Sequence, residues 1–192
     1  KDKESAEKLL LPLVEEVRRR LGKVVYDVLD TDGGSLALSA VRALKQRGWT
    51  IATAESLTGG LIASSMVEVP GASQVVKGGF VTYQSVSKTM LLGVPAEMIE
   101  QYDVVSAEVA RAMAKGARER LGVDIAVSAT GLAGPDGGTP ERPVGTVFLG
   151  IATAKGVYDI PLHLTGNRAR IRTLTMKHAL NAVRLEAEDK DK

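Results

Sequence analysis

Apolar residues recur along this chain at two spacings, and the two alternate. Leu10, Leu13, Val14, Val17 and Leu21 fall three or four apart, the spacing that gathers side chains on one face of a helix. A strand-like run at 23–28 (KVVYDV) and a turn or linker at 29–34 (LDTDGG) follow. From Ser35 the pattern becomes regular. SLALSAVRALKQRG predicts a helix capped by Ser35 and stopped by Gly48. WTIATAE predicts a strand, 58–68 a helix, QVVKGGFVTYQ a strand, SVSKTMLLG a short helix and PAEMIEQY another, with Pro95 near its first turn. Val109, Ala112, Met113, Ala117 and Leu121 mark an amphipathic helix with Ser106 at its N-cap. The all-apolar DIAVSA suits a strand buried on both faces. GTVFLGIATAKGVYDIPLHLTG reads as two strands joined around Lys155-Gly156, and NRARIRTLTMKHALNAVRLEAE as a long closing helix. Strands alternating with helices, plus one hairpin, predict a layered α/β sandwich with a mixed sheet. The stretch before the regular pattern reads as an appendage or the remnant of something upstream, and the charged EAEDKDK as a frayed, solvated tail.

Composition narrows the function. The 192 residues suffice for one domain with a sizeable core, and 44% are hydrophobic, but only 4% are aromatic, so Ala, Val and Leu must fill that core. A net charge of +2 is too small for a nucleic-acid-binding surface, and so few rings make no base-stacking platform. Zero cysteines exclude disulfides and thiolate metal sites and fit a reducing compartment. No apolar run approaches the ~18 residues of a membrane span, and no signal-peptide pattern opens the chain. The expectation is a cytoplasmic globular domain with no nucleic-acid or membrane partner.

The two histidines, His163 and His178, lack a second ligand at metal-binding spacing, so no metal is expected. Walker A and G-x-G-x-x-G are absent. SATGLAGPDGGT at 128–139, however, places four glycines straight after a buried strand, either as an anion-binding loop or as a flexible turn. Arg168, in the first turn of the last helix, opposes the helix dipole unless it shares an anion with the terminal amides, which makes it a phosphate candidate. Without Cys or a catalytic His, acyl transfer would need Ser with Lys as base. One option is Ser85-Val-Ser-Lys88, but Ser5-Ala-Glu-Lys8 matches the same S-x-x-K pattern and neither S-D-N nor K-T-G accompanies it. The other pairs Ser56, in the turn ATAESLTGG, with Tyr83 at a strand end and Lys88 in the next turn. Lys88 must then be neutral; at an ordinary pKa of about 10.4 less than ~0.1% is neutral at pH 7, and burial must lower it.

TAESLTGG, GGFVTYQSVSK, VSAEVARAMAKGAR, DIAVSATGLAGPDGGTPERPVGTVF and GNRARIR, in this order over about 35–184, resemble the C-terminal domain of the CinA competence/damage-inducible family. That domain is similar to the stand-alone PncC-type nicotinamide-nucleotide amidases. The resemblance implies a three-layer α/β/α sandwich with a mixed, mostly parallel sheet, commonly a homo-oligomer, occupying 34–186, with 187–192 as charged tail. It implies that 1–33 is the connector after a molybdopterin-binding-like N-terminal domain of a longer protein. It further implies hydrolysis of the carboxamide of nicotinamide mononucleotide to nicotinic acid mononucleotide and ammonia, without metal or cofactor.

The family's nucleophile matches Ser56, its Tyr Tyr83 and its Lys Lys88. Its Gly-rich loop matches Thr130, Gly131, Ala133, Gly134 and Pro135, and its G-[DN]-R motif Gly166, Asn167 and Arg168. In that chemistry Lys88 takes the proton of Ser56 and Tyr83 orients Lys88 or relays the proton. Backbone N–H groups near Thr58, Gly59 and Gly60 stabilise the oxyanion, and the loop and Arg168 hold phosphate. Glu55 holds the ribose, or Lys88, or a structural ion pair; Ser106 caps its helix or faces the pocket. Leu57 stands where the family has Cys, and Asp103 where it has Gly. The competing reading is a non-catalytic nucleotide-sensing or partner-binding module serving competence or DNA repair.

Overall fold

In the computed structural model, residues 2–22, 25–26 and 35–189 are described. The strand expected at 23–28 and the turn at 29–34 lie outside them, apart from Val25 and Tyr26, which form no strand. The elements are α1 (Lys3–Leu21), α2 (Leu36–Arg47), β1 (Ile51–Glu55), α3 (Leu61–Val67), a 3-10 turn (Ala72–Gln74), β2 (Val76–Val81), α4 (Ser85–Leu92), α5 (Ala96–Tyr102), α6 (Ala107–Leu121), β3 (Ile125–Gly131), β4 (Thr146–Thr153), β5 (Gly156–His163) and α7 (Arg168–Glu188).

The five strands form one sheet in the order β2-β1-β3-β4-β5. β1 pairs in parallel with β2 and β3; β4 is antiparallel to β3 and to β5, so four strands run one way and β4 opposes them. Helices α2, α3 and α7 cover one face and α4, α5 and α6 the other, which makes the three layers. Alternation along the strands sorts the core. Ile51, Ile125, Val127, Leu149 and Ile151 pack with Leu44, Ile62, Ile171 and Leu180 on the α7 side. Ala52, Ala54 and Ala126 pack with Val109, Met113 and Ala117 on the α6 side. The α6 side is lined by small residues, and α6 lies correspondingly close. A Cβ at Gly150 would stand 2.2 Å from the Ala110 carbonyl oxygen. The Ser128 hydroxyl fills that contact, donating to Ala110 O at 2.6 Å and accepting from Gly150 N–H at 3.1 Å.

Three boundaries depart from the sequence pattern. Helix α3 begins at Leu61, not at 58, because Gly60 at φ 96° turns the chain before the helix can start. Strand β2 ends at Val81, leaving Thr82, Tyr83 and Gln84 as the lead into α4. The tail expected at 187–192 starts too early: α7 runs to Glu188, Ala187 is buried in the core, and Glu186 accepts a hydrogen bond from Tyr158. The apolar positions of α7 continue to its end and hold it there.

Asp103, after α5, has φ 69° and ψ 158° and is the one non-Gly residue at positive φ among those described. This conformation belongs almost wholly to glycine and strains other residues by about 1–3 kcal/mol. The half-exposed ion pair from Arg142 to Asp103, 2.7 Å, offsets at most ~1 kcal/mol of that. Asp103→Gly is therefore expected to stabilise the fold by about 1 kcal/mol. A urea midpoint that stays put or falls would show that the ion pair, not the strain, dominates.

Candidate active site

The site forms where β1 leaves the sheet. Ser56 N–H donates to Ala129 O at 2.9 Å, extending the pairing with β3 by one residue before the chain turns. Gly59 at φ 60° and Gly60 at φ 96° complete the turn. Beneath it lies the fully buried Glu55, whose carboxylate accepts from the N–H groups of Gly60 (3.0 Å), Ile62 (3.0 Å) and Ala63 (2.9 Å) and from the Thr53 hydroxyl (3.2 Å). A carboxylate on the first amides of a helix satisfies donors that have no partner in the helix itself. Glu55 thus holds the turn and the start of α3. It reaches neither Lys88 nor open surface, so the placement does not supply the ribose contact or the Lys88 pairing that the sequence allowed.

Lys88 projects from α4 into this turn. It is only 1% exposed, and its Nζ donates to Thr82 O at 2.6 Å and lies 3.2 Å from Ser56 Oγ. Burial disfavours the ammonium and lowers the Lys88 pKa from 10.5 to about 8. The parallel register produces this meeting. Glu55 pairs with Val81, and Thr82 N–H donates to Glu55 O at 2.8 Å, so the lead into α4 runs beside Ser56. Ser85, the other S-x-x-K candidate, is exposed at the start of α4, and Lys88 bonds to Ser56 rather than to it.

The remaining candidates separate into two groups. Tyr83 is 57% exposed and its hydroxyl accepts from Arg168 Nη2 at 3.1 Å rather than meeting Lys88. Arg168 Nη1 donates to Gly134 O at 2.8 Å, so one exposed guanidinium ties Tyr83 to the Gly-rich loop. These three form the rim. The second group is structural in its contacts. Thr130 is buried and donates to Val104 O at 2.6 Å. Ser106 caps α6, accepting from Val109 N–H at 3.3 Å and donating to Asp103 O at 2.8 Å. Ala133 is buried in the α7-side core, and Gly131 closes β3 against Val147. Leu57, 4% exposed, lies in that same core, so its bulk replaces packing there.

The amides of the turn are also sorted. Gly59 N–H donates to Ser56 O at 3.1 Å and Gly60 N–H to Glu55, so neither is open to an oxyanion. Among the described residues, the N–H groups of Leu57 and Thr58 have no partner. The sequence pattern centres the donors on Thr58, Gly59 and Gly60, and of these only Thr58 keeps its N–H free. It leaves out Arg172 altogether. Arg172 Nε donates to Leu57 O at 2.9 Å and Nη2 to Thr58 O at 2.8 Å, from the second turn of α7. The signal was present in GNRARIR, where Arg168 and Arg172 stand four apart and share a helix face. Among the described residues no group of three His, Cys, Asp or Glu side chains could hold a metal ion.

A family model described as the CinA C-terminal domain matches residues 34–186. The chain belongs to the CinA C-terminal domain family. A CinA-like protein of Dictyoglomus thermophilum is 45% identical over 182 residues, 95% of this chain and 44% of that protein. A putative competence-damage inducible protein of Symbiobacterium thermophilum is 44% identical over 184 residues, 91% of this chain and 42% of that one. The chain thus spans less than half the length of these CinA relatives. Among solved structures, the competence/damage inducible protein CihA of Agrobacterium tumefaciens matches with a TM-score of 0.77 and 38% identity, over 80% of this chain and 94% of that chain. The CinA fold therefore supplies the frame on which the Ser56–Lys88 pair sits.

Proposed function

We propose that this CinA domain hydrolyses the carboxamide of nicotinamide mononucleotide to nicotinic acid mononucleotide and ammonia, with Ser56 as nucleophile and Lys88 as base. The observation that carries the reading is the buried Lys88 amine 3.2 Å from Ser56 Oγ. With a pKa of about 8, about a tenth of Lys88 is neutral at pH 7, a few hundred times the share of an exposed lysine. The Thr82 carbonyl takes one N–H of the amine and leaves its lone pair for the Ser56 hydroxyl proton. Ser56 Oγ then attacks the carboxamide carbon while its proton passes to Nζ. Lys88 returns that proton to the amide nitrogen, and ammonia departs from an acyl-Ser56 ester. Lys88 next deprotonates the attacking water, and Ser56 leaves with the proton. The choice of nucleotide rests on the resemblance to the nicotinamide-nucleotide amidases. The Arg168 guanidinium, still carrying unused donors beside Tyr83 and Gly134, is the group that fits the phosphate at the rim.

Ammonia release from nicotinamide mononucleotide, measured with EDTA present, tests the reading. Turnover that survives the chelator supports it. Calorimetric binding of the nucleotide without turnover would replace it with the non-catalytic sensing module.

A further inference from the structure

We infer that Arg172 is a positioning residue that aims the Leu57 and Thr58 N–H groups as the oxyanion hole of Ser56; this rests on the amidase reading above. A trans peptide is planar, so fixing its C=O fixes the N–H on the opposite side. The free Thr58 N–H shares its plane with Leu57 C=O, which Arg172 Nε holds at 2.9 Å. The free Leu57 N–H shares its plane with Ser56 C=O, which Gly59 N–H holds at 3.1 Å. Gly59 N–H in turn belongs to the plane of Thr58 C=O, which Arg172 Nη2 holds at 2.8 Å. One guanidinium therefore bears on both free donors, on Thr58 N–H directly and on Leu57 N–H through Gly59, where Leu61 N–H at 3.3 Å shares the Thr58 carbonyl with it. Arg172 approaches from α7, on the far side of the sheet from α4, so the Thr58 N–H it fixes is turned away from α7. Lys88 enters the same turn from α4. Negative charge developing on the carboxamide oxygen during attack by Ser56 would meet two fixed amides with no competing acceptor among the described residues.

The test compares wild type, Arg172→Lys and Arg172→Ala in two reactions. The first is hydrolysis of nicotinamide mononucleotide. The second is phosphonylation of Ser56 by a small alkyl fluorophosphonate, followed by intact mass. There Oγ bonds to phosphorus, fluoride leaves, Lys88 takes the proton, and the phosphoryl oxygen needs the same hole. Loss of a single oxyanion donor costs about 100- to 1,000-fold in kcat. Arg172→Ala is expected to lose on that order in kcat with KM nearly unchanged, and to slow in phosphonylation alike. Added guanidinium should restore part of both rates. Arg172→Lys should remain slow, because one ammonium lacks the fork that spans two carbonyls. A raised KM with kcat kept would make Arg172 a substrate ligand and overturn the inference. So would a lowered melting temperature with both rates intact, or Arg172→Lys at wild-type speed. If wild type is phosphonylated at Ser56 but leaves the nucleotide untouched, the substrate reading fails while the phosphonylation rates of the variants still decide the role of Arg172. If wild-type Ser56 is not phosphonylated, the oxyanion hole and the amidase reading fall together.

Discussion

Ser56→Ala is expected to lower ammonia release by about four orders of magnitude or more, the scale seen when a serine hydrolase loses its nucleophile. Nothing else described in the turn offers a nucleophilic oxygen at the Lys88 amine; the Thr82 group bonded to it is a carbonyl. The substitution removes one hydrogen bond and a half-buried hydroxyl, so the fold should change by no more than ~1 kcal/mol, and nucleotide binding should stay within a few-fold. A residual rate above about one per cent of wild type would mean that Ser56 is not the attacking atom. Ser85→Ala serves as the comparison: that residue is exposed, Lys88 Nζ bonds to Ser56 and Thr82 instead, and loss of its hydroxyl should leave the rate intact.

Lys88→Met is expected to remove turnover as thoroughly while making the protein more stable at neutral pH. The folded state lowers the Lys88 pKa from 10.5 to about 8. Between those values the unfolded chain binds more protons than the native one, so wild-type stability rises with pH across that window. Below pH 8 both states are protonated and the full cost of burying the ammonium is present, on the order of 3 kcal/mol. Methionine occupies similar space without the charge but leaves the Thr82 carbonyl short of a donor, which returns about 1–3 kcal/mol. The net expectation is a gain of about 1 kcal/mol at pH 7, shrinking and reversing towards pH 10.5. Urea midpoints of both proteins at the two pH values measure it. In the wild type, kcat/KM should climb with pH to a plateau above about 8, since the neutral amine is the reactive form. A flat profile, or a variant equally destabilised at both pH values, would remove the desolvated amine from the mechanism.

The order of elements was legible because the two periodicities, near two and near 3.6, alternate cleanly from Ser35 onward. Ser56 and Lys88 were legible as types and through the resemblance, but their meeting depends on β2 pairing in parallel beside β1, which no local pattern encodes. The role of Glu55 was not legible. A carboxylate preceding a serine looks the same in sequence whether it faces a ligand or turns under the chain to reach amides five to eight residues later. Tyr83 reads as a partner of Lys88 five residues away, yet it lies exposed in the lead from β2 into α4 and bonds to Arg168, 85 residues on. Arg172 was hidden for a similar reason. Its partners are backbone carbonyls more than a hundred residues earlier, and carbonyls leave no mark in a sequence.

The turn around Ser56 is braced from below by Glu55 and from α7 by Arg172, whereas among the described residues Tyr83 and Gly134 are joined through the exposed Arg168 guanidinium. Mechanical stiffness is therefore concentrated where bonds would be made and broken, and compliance where a ligand would first be met. In such a layout, substitutions at Tyr83 or Arg168 can retune which molecules are admitted without touching the reacting atoms. Selectivity and chemistry can then diverge along separate evolutionary paths within one scaffold.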